Sequence, residues 1–218
     1  MSSLTLVIGN QNYSSWSMRP WMALSMAGIP FKEVVVPLDQ PRTKAEIMSH
    51  SQAGRVPVLH HGKLTIWESL AILEYLADAF PDKGLWPKSK AARALARAVS
   101  TEMHAGFSAL RNACPMNLRR PRKALVLSDA VKADIQRIEN IWRECRVNFG
   151  KSGKFLFGKF GNADSMFAPV VTRFDTYDIK VAKDTRQYMD NMMATSAFKT
   201  WKEAALKETW ILPHDEVD

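Results

Sequence analysis

Residues 54–69 have the sequence GRVPVLHHGKLTIWES. Pro57 favours an extended backbone at the residue before it. Two apolar runs, 58–60 and 64–66, flank a three-residue turn with glycine at its centre, which is the pattern of a β-hairpin. Residues 68–80 then place apolar side chains at helical spacing, which predicts an amphipathic helix. Two antiparallel strands and a helix are therefore predicted in direct succession.

The residues before this stretch alternate between strand and helix patterns. Residues 4–8 are mostly apolar on both faces, as in a central strand, and residues 31–36 are β-branched, which predicts a second strand. Between them, residues 17–27 have a helical pattern that ends at Gly28, and residues 43–49 have a short, weak one. The predicted order is βαβαββα, and one right-handed crossover around the first helix sets the first two strands side by side in parallel.

The rest of the chain shows helical patterns and no strand pattern. Apolar side chains recur at helical spacing in four segments, residues 95–110, 131–149, 166–177 and 198–205. A segment with prolines and a glycine separates the two regions. The sequence therefore predicts an α/β domain over residues 1–81, a linker over 82–89 and an all-α domain over 90–218.

Composition excludes several classes of protein. Of the 218 residues, 46% are hydrophobic and 24% are charged, which is typical of a globular chain rather than a disordered one. No apolar run approaches the ~20 residues of a membrane helix, and the first residues lack the basic flank of a signal peptide. Cys114 and Cys145 provide neither a disulfide framework nor a metal cluster. We therefore expect a cytoplasmic protein with no metal and no membrane partner.

Two motifs carry a resemblance to a known family. The first is NYSSWSMRPW at residues 12–21, and the second combines a Val-Pro pair at 56–57 with a Glu-Ser pair at 68–69. With these motifs the chain resembles the cytosolic glutathione transferases over nearly its whole length. Residues 14–19 are similar to the Ser-Ser-Cys-Ser-x-Arg signature of the zeta class, with Trp16 in place of the cysteine. The resemblance implies a thioredoxin-like N-terminal domain that binds glutathione as co-substrate, an all-helical C-terminal domain that supplies the electrophile pocket, and a homodimer.

Ser14 is the candidate for activating the glutathione thiol. A free thiol has a pKa of about 8.5, so its ionisation near pH 7 requires roughly 3 kcal/mol. A hydrogen bond to a charged group contributes about 1.5–3 kcal/mol and the positive end of a helix about 0.3–1 kcal/mol, so one hydroxyl at the helix start is about sufficient. Ser14 lies five residues before Arg19, the spacing of the serine-type classes that the chain resembles. Ser15 and Tyr13 are the alternative donors, and a simple helix cap is the non-catalytic interpretation of either serine.

The resemblance also assigns residues to the peptide part of glutathione. A cis Val56–Pro57 bond would present the amide and carbonyl of Val56 to the cysteinyl backbone, like an added strand. Ser69 would bind the γ-glutamyl carboxylate at the start of the third helix, and Glu68 would accept from the α-amino group. Without the resemblance, these residues are an ordinary strand start and an ordinary helix start.

Arginines and a capping motif complete this assignment. Arg55 is favoured over Arg42 as the partner of the glycine carboxylate, and both are candidates. Arg19 is expected to be a structural ion-pair residue rather than a ligand contact. In the helical half, the family's Ser/Thr-x-x-Asp capping motif appears as GNAD at residues 161–164, in which glycine lacks the capping hydroxyl.

The second substrate is expected between the domains, where the facing helix offers Met103, His104, Phe107 and Arg111. An apolar stripe of this kind is more often core than pocket. Because no cysteine lies in the first motif, cysteine-based reductase chemistry is not expected. The leading prediction is conjugation of the glutathione thiolate to a small apolar electrophile. The alternatives are glutathione-dependent cis–trans isomerisation of a small dicarboxylate and a glutathione- or ligand-binding module with little turnover.

The net charge of +8 is unevenly distributed along the chain. Residues 1–82 carry six basic and seven acidic side chains, so the positive excess lies in the helical half. Its densest run is RRPRK at residues 119–123, which has neither the aromatic side chains nor the motif of a nucleic-acid-binding element. We expect a solvated loop and no nucleic-acid partner, with an acidic partner or an anionic co-substrate as the alternative.

Overall fold

The computed structural model describes residues 3–151 and 153–217. Within these ranges the N-terminal part forms a four-stranded mixed sheet with the order β2-β1-β3-β4. The strands are β1 (Leu4–Ile8), β2 (Phe31–Val35), β3 (Val58–His61) and β4 (Leu64–Trp67). β1 pairs with β2 in parallel and with β3 antiparallel, and β3 and β4 form the predicted hairpin. The predicted parallel pairing of the first two strands is confirmed.

The helices of this part are α1 (Ser15–Met26), α2 (Thr43–His50) and α3 (Ser69–Ala79). α1 begins before the predicted residue 17 because the Ser14 side chain caps it. α3 begins after Glu68, which has a φ of 68° and so lies outside the right-handed helical region. Both helix starts are therefore set by residues of the two sequence motifs.

The C-terminal part consists of helices and loops. Its α-helices are α4 (Lys90–Ala105), α5 (Ser108–Ala113), α6 (Asp129–Phe149), α7 (Asn162–Thr176), α8 (Lys183–Met193) and α9 (Ser196–Lys207). The predicted single stripe over 95–110 is two helices, because Phe107 has a φ of 60° and breaks the helix. α8 was not predicted, since its sequence is mostly polar and Tyr188 and Met192 are buried only by its neighbours. In the described part of the chain, no helix combines the length and the apolar character needed to cross a membrane.

The apolar core has a larger and a smaller cluster. The larger one extends from one face of the sheet through α1 and α3 into the helical part. The smaller one consists of Val7, Val36, Ile47 and Val58 on the other face of the sheet. β1 therefore has buried side chains on both faces, as its sequence predicts. Because α1 packs against α3, α7 and α9, the start of α1 lies where the two parts of the chain meet.

The capping motif of α7 works without the missing hydroxyl. The Asp164 carboxylate accepts from the Gly161 amide (3.0 Å), the Leu156 amide (3.0 Å) and the Tyr188 hydroxyl (3.1 Å). A Cβ at Gly161 would lie 2.9 Å from the Leu85 carbonyl oxygen, so only glycine fits this close approach. Asp164 thus supplies the helix cap, and the space beside Leu85 explains the glycine.

Candidate active site

Ser14 lies at the N-cap of α1, in the loop that follows β1. Its amide donates to the Asn10 carbonyl oxygen (2.7 Å), which fixes the loop. Its Oγ accepts from the Ser17 amide at 3.4 Å and lies 2.8 Å from the Ser17 Oγ. The Ser17 Oγ in turn accepts from the Gly9 amide at 3.0 Å.

This pair of hydroxyls leaves Ser14 able to donate to a ligand. Either hydroxyl can donate in such a pair, and when Ser17 donates, the hydrogen of the Ser14 hydroxyl is free. The free hydrogen lies at the positive end of α1, which favours an anion. Ser17 was not predicted as a site residue. Its position three residues after a capping serine is the sequence feature that could have indicated its contact with Ser14.

The two alternative donors are placed differently. The Ser15 Oγ accepts from Arg173 Nη2 at 3.3 Å, so its own hydrogen is also free for a ligand. The Tyr13 hydroxyl is bonded to the Glu216 carboxylate and accepts from Arg119 Nη2 at 2.8 Å. Burial and the Glu216 hydrogen bond raise the pKa of Tyr13. The Tyr13 hydroxyl is therefore committed to other protein groups, whereas both serine hydroxyls can reach a ligand.

A cavity of about 440 Å³, the Glu68 cavity, adjoins the Val56–Pro57 segment and the start of α3. It is lined by Trp16, Arg55, Val56, Pro57, Trp67, Glu68, Ser69, His104 and Arg111. The Val56–Pro57 peptide bond is cis, as the resemblance implies. Within the described residues neither backbone group of Val56 forms a backbone hydrogen bond, so both are available to an extended peptide ligand.

The start of α3 forms the polar end of this cavity. Glu68 has a positive φ of 68°, an uncommon backbone conformation that costs a non-glycine residue about 1–3 kcal/mol and is concentrated at functional sites. Ser69 is fully buried in the first turn of α3, where free helix amides favour a carboxylate. Arg19 Nη1 donates to the Ser69 Oγ at 3.4 Å. The prediction that Arg19 forms an ion pair is wrong, because no salt bridge of Arg19 exists within the described residues.

A second cavity of about 440 Å³, the Ser14 cavity, lies between the start of α1 and the chain after α9. It shares Trp16, Arg55, Val56 and Arg111 with the Glu68 cavity. The two cavities therefore adjoin at these four residues.

Trp16, which stands at the cysteine position of the zeta signature, packs against two guanidinium groups. Its ring centroid lies 4.1 Å from the guanidinium carbon of Arg19 and 4.5 Å from that of Arg111. The His104 ring meets Trp16 edge-on at 5.2 Å between ring centroids. Cation–π contacts of this kind stabilise charged side chains that are buried away from water. Trp16 therefore holds cations at the boundary of the two cavities and offers no nucleophile.

Arg19, Arg111 and Arg173 form a positive cluster around these cavities. Burial, followed by the charge of Arg111, lowers the pKa of Arg173 to about 10. Burial also lowers the pKa of Arg19 and that of Arg111. In place of a carboxylate, Arg173 donates to the Cys114 carbonyl oxygen (2.9 Å). Because an arginine stays protonated at neutral pH, the cluster favours a negatively charged ligand.

The other predicted residues lie in three places: at the cavities, on the surface and in the core. Arg55 lines both cavities, whereas Arg42 is exposed at the start of α2 and lines neither. Met103 and Phe107 are buried in the core and line neither cavity, so their prediction as electrophile contacts is wrong. Met103 faces inward because α4 packs against α6 and α7, and Phe107 is buried at the start of α5, which packs against α6.

His104 lines the Glu68 cavity rather than the Ser14 cavity. Burial and the nearby charges of Arg19 and Arg111 lower its pKa. We therefore regard His104 as neutral at pH 7, and its 3.8 Å approach to the Glu68 carboxylate is not an ion pair.

The basic run is not the predicted solvated loop. Arg122 and Lys123 are exposed, but Arg119 and Arg120 are partly buried. Both donate to carbonyl oxygens of the chain after α9, so their charges are used inside the protein.

The cysteines lie outside the site. Burial raises the pKa of the Cys114 thiol to about 11 and that of the Cys145 thiol to about 12. Neither thiol is therefore ionised at neutral pH. Among residues 3–151 and 153–217, no group of three or more His, Cys, Asp or Glu side chains is placed to hold a metal ion.

Comparison with known proteins agrees with this geometry. The family model described as "Glutathione S-transferase, N-terminal domain" matches residues 13–79. Over these residues the chain is therefore similar to the N-terminal domain of the glutathione S-transferases. A probable maleylacetoacetate isomerase from Caenorhabditis elegans is 32% identical over 57% of this chain and 58% of its own length. Glutathione S-transferase 1 from Dianthus caryophyllus is 28% identical over 72% of each chain.

Solved structures share the fold of this chain over almost its whole length. A glutathione transferase homologue from Burkholderia, solved with bound glutathione, superimposes with a TM-score of 0.70 at 21% identity, covering 93% of this chain and 98% of that one. The segment that matches the family model contains Ser14, Val56, Glu68 and Ser69. Arg173 and the chain after α9 lie outside it. The family match therefore covers one part of the candidate site and does not extend to Arg173 or the chain after α9.

Proposed function

We propose that the protein conjugates glutathione, through its thiolate sulfur, to a small electrophile. The glutathione thiolate attacks an electrophilic carbon and forms a C–S bond, and the leaving group departs with its electron pair. At an activated alkene, the π electrons move to the neighbouring carbon, which water then protonates. The observation that supports this proposal is the Ser14 hydroxyl at the positive end of α1, beside the wall shared by two adjoining cavities.

Glutathione binds in the Glu68 cavity in this proposal. The backbone of Val56 pairs with the cysteinyl residue, Ser69 and the first turn of α3 bind the γ-glutamyl carboxylate, and Glu68 accepts from the α-amino group. Arg55 pairs with the glycine carboxylate, since Arg42 lies outside both cavities. The thiol then points to Ser14, and the electrophile in the second cavity gains the advantage of proximity.

A second candidate reaction is glutathione-dependent cis–trans isomerisation of a small dicarboxylate. Arg111 and Arg173, which line the Ser14 cavity without salt bridges in the described residues, favour an anionic substrate over the apolar one predicted from the sequence. Addition of the thiolate to a C=C bond permits rotation about the resulting single bond, and elimination then restores the thiolate. Since the sulfur comes from glutathione, this reaction does not require the cysteine that Trp16 replaces.

Retention and turnover together test the proposal. We expect the protein to bind immobilised glutathione and to conjugate glutathione to chlorodinitrobenzene, with a lower rate for Ser14→Ala. The exposed Ser49, replaced by alanine, is the matched control and keeps the parent rate. Retention without turnover would instead support a binding module, and absence of retention would contradict the proposal.

The proposal includes a homodimer. Edge strand β4 exposes Leu64 (54%) and Trp67 (51%), and Trp67 also lines the Glu68 cavity. Light scattering on the parent chain is expected to give twice the monomer mass, and Leu64→Glu is expected to shift it towards the monomer. A monomeric parent chain would contradict this part.

A further inference from the structure

The chain after α9 runs back across the Ser14 cavity as a strap, residues 208–217. Its first residue, Glu208, accepts from the backbone amides of Gln11 (2.7 Å) and Asn12 (2.9 Å), which lie shortly before Ser14 in the same loop. Further along, three strap residues line the cavity: Leu212, His214 and Asp215. The strap is therefore a wall of the second-substrate site.

The basic run holds the strap in place. The Arg119 guanidinium donates to the carbonyl oxygens of Glu208 and Trp210, the latter at 2.5 Å. Arg120 Nε donates to the Val217 carbonyl oxygen at 2.7 Å. Two arginines thus bind both ends of the strap, so the strap's side chains keep fixed positions relative to the cavity.

The cavity is lined by charged side chains of both signs, and the strap contributes one of its two acids. Arg111 and Arg173 line the Ser14 cavity, and Asp39 and Asp215 line it as well. Asp39 is paired with His214, whose Nδ1 lies 3.2 Å from the Asp39 carboxylate.

Asp215 is the less satisfied of these two acids. Its carboxylate forms no hydrogen bond within the described residues, and its nearest basic atom is His214 Nε2 at 3.7 Å. The side chain is only 21% exposed. Burial raises the pKa of Asp215, and the nearby charges of His214 and Arg173 offset only part of that rise. Asp215 and Arg173 thus line the same cavity, and in the described residues they form no salt bridge with each other.

We propose that Asp215 is a specificity-determining residue that makes the Ser14 cavity select electrophiles with one negative charge over those with two. Arg111 and Arg173 attract one carboxylate, and the Asp215 carboxylate repels a second one placed towards the strap. This inference rests on the proposed transfer reaction and names its substrate class, a small monoanionic electrophile. It disfavours the dicarboxylate of the second candidate reaction.

Three related electrophiles test the selection: dimethyl maleate, monomethyl maleate and maleate, which carry no, one and two negative charges. For each, kcat/KM is divided by the rate constant of the uncatalysed addition of glutathione, which removes differences in intrinsic reactivity. We expect the monoester to have the highest ratio. In Asp215→Asn the preference for the monoester over maleate is expected to fall about three- to tenfold, as for removal of one partly screened charge.

Two variants separate charge from shape. Asp215→Glu keeps the negative charge and is expected to keep the preference. Asp129→Asn removes a fully exposed charge at the start of α6 and is also expected to keep it. An unchanged preference in Asp215→Asn, or an equal loss for all three electrophiles, would overturn the inference.

A binding measurement distinguishes failure of this inference from failure of the proposed function. If the parent shows no glutathione-dependent turnover, the transferase proposal fails, but calorimetry with monomethyl succinate and succinate still measures the charge selection. Tighter binding of the monoester, lost in Asp215→Asn, supports the role of Asp215. Equal binding of both compounds to the parent overturns it.

Discussion

Replacement of Ser14 by alanine removes one hydroxyl group at the N-terminus of α1. In the free protein this hydroxyl is bonded to the Ser17 Oγ at 2.8 Å. When a thiolate binds, the bond reverses, so that Ser17 donates to Ser14 and Ser14 donates to sulfur. The number of hydrogen bonds between the two serines stays the same, and the bond to sulfur is a net gain.

The size of the effect follows from this exchange. A hydrogen bond to a charged group contributes about 1.5–3 kcal/mol, and one pKa unit corresponds to about 1.4 kcal/mol. Ser14→Ala is therefore expected to raise the pKa of the bound glutathione thiol by about 1–2 units. The loss of the helix cap adds little instability, because the bond from the Ser17 amide is long at 3.4 Å, which places its loss near the lower end of the usual range of about 0.5–2 kcal/mol.

Thiolate absorbance of the glutathione complex, measured against pH, reports this pKa directly, and the pH dependence of kcat/KM for chlorodinitrobenzene provides a second measurement. Below both pKa values the rate of Ser14→Ala is expected to be about tenfold to a hundredfold lower than that of the parent. At pH values above both pKa values the thiol is ionised in either protein, so the two rates converge. Ser49→Ala is expected to follow the parent curve.

Replacement of the neighbouring serines tests whether Ser14 is the residue that donates to the thiolate. Ser17→Ala is expected to raise the thiol pKa by less than about half a unit, because polarisation by a second hydrogen bond adds only about 10–30% to the first. Ser15→Ala is expected to leave it near the parent value. A parent-like pKa in Ser14→Ala together with a raised pKa in Ser15→Ala would refute the reasoning and assign the role to Ser15.

Three further predictions concern the surroundings of the site. Asp164→Asn is expected to lower the free energy of unfolding by about 2–4 kcal/mol in denaturant titrations. The reason is that an amide cannot accept hydrogen bonds from all three donors that the carboxylate binds. A loss of less than about 1 kcal/mol would contradict the capping role. Tyr13→Phe is expected to leave the thiol pKa unchanged and to increase proteolysis of the strap, because its hydroxyl is bonded to Glu216; a raised thiol pKa would make Tyr13 a thiolate donor. Cys114 and Cys145 are expected to resist alkylation by iodoacetamide at pH 8 until the protein unfolds, since burial raises their thiol pKa values to about 11 and about 12. Alkylation of either cysteine in the native protein, detected by mass spectrometry, would contradict this prediction.

The N-terminal fold was predictable because its signals are local. The alternation of apolar residues, the glycine turn of the hairpin and the stop at Gly28 each act within a few residues, and the observed β1, β2 and α1 follow them closely. Part of the candidate site was predictable for the same reason. Ser14 and Ser69 stand at helix starts, where the cap position itself supplies the chemistry.

The sequence-based predictions were wrong where the surroundings of an apolar helical stripe, either the core or a pocket, had to be chosen. Met103 and Phe107 have the spacing of either a core or a pocket. Only the packing of α4 and α5 against their neighbours in the helical part buries them. The basic run gave no sign that Arg119 and Arg120 bind backbone carbonyls. Carbonyl groups are identical in every residue, so no sequence pattern marks which of them an arginine will reach.

By itself, the sequence determined the α/β domain, the helical character of the remainder, and the motifs that place Ser14, Val56, Glu68 and Ser69 at one end of the sheet. Only the tertiary structure decided which groups face them. Arg173 reaches Ser15 from 158 residues away, and Glu208 reaches the amide of Gln11 from 197 residues away. Hydrophobic periodicity fixes which face of each helix is buried, but the packing of α1 against α7 and α9 sets which distant charges meet at the site. The charge of the Ser14 cavity is therefore a property of the packed chain and not of any one segment.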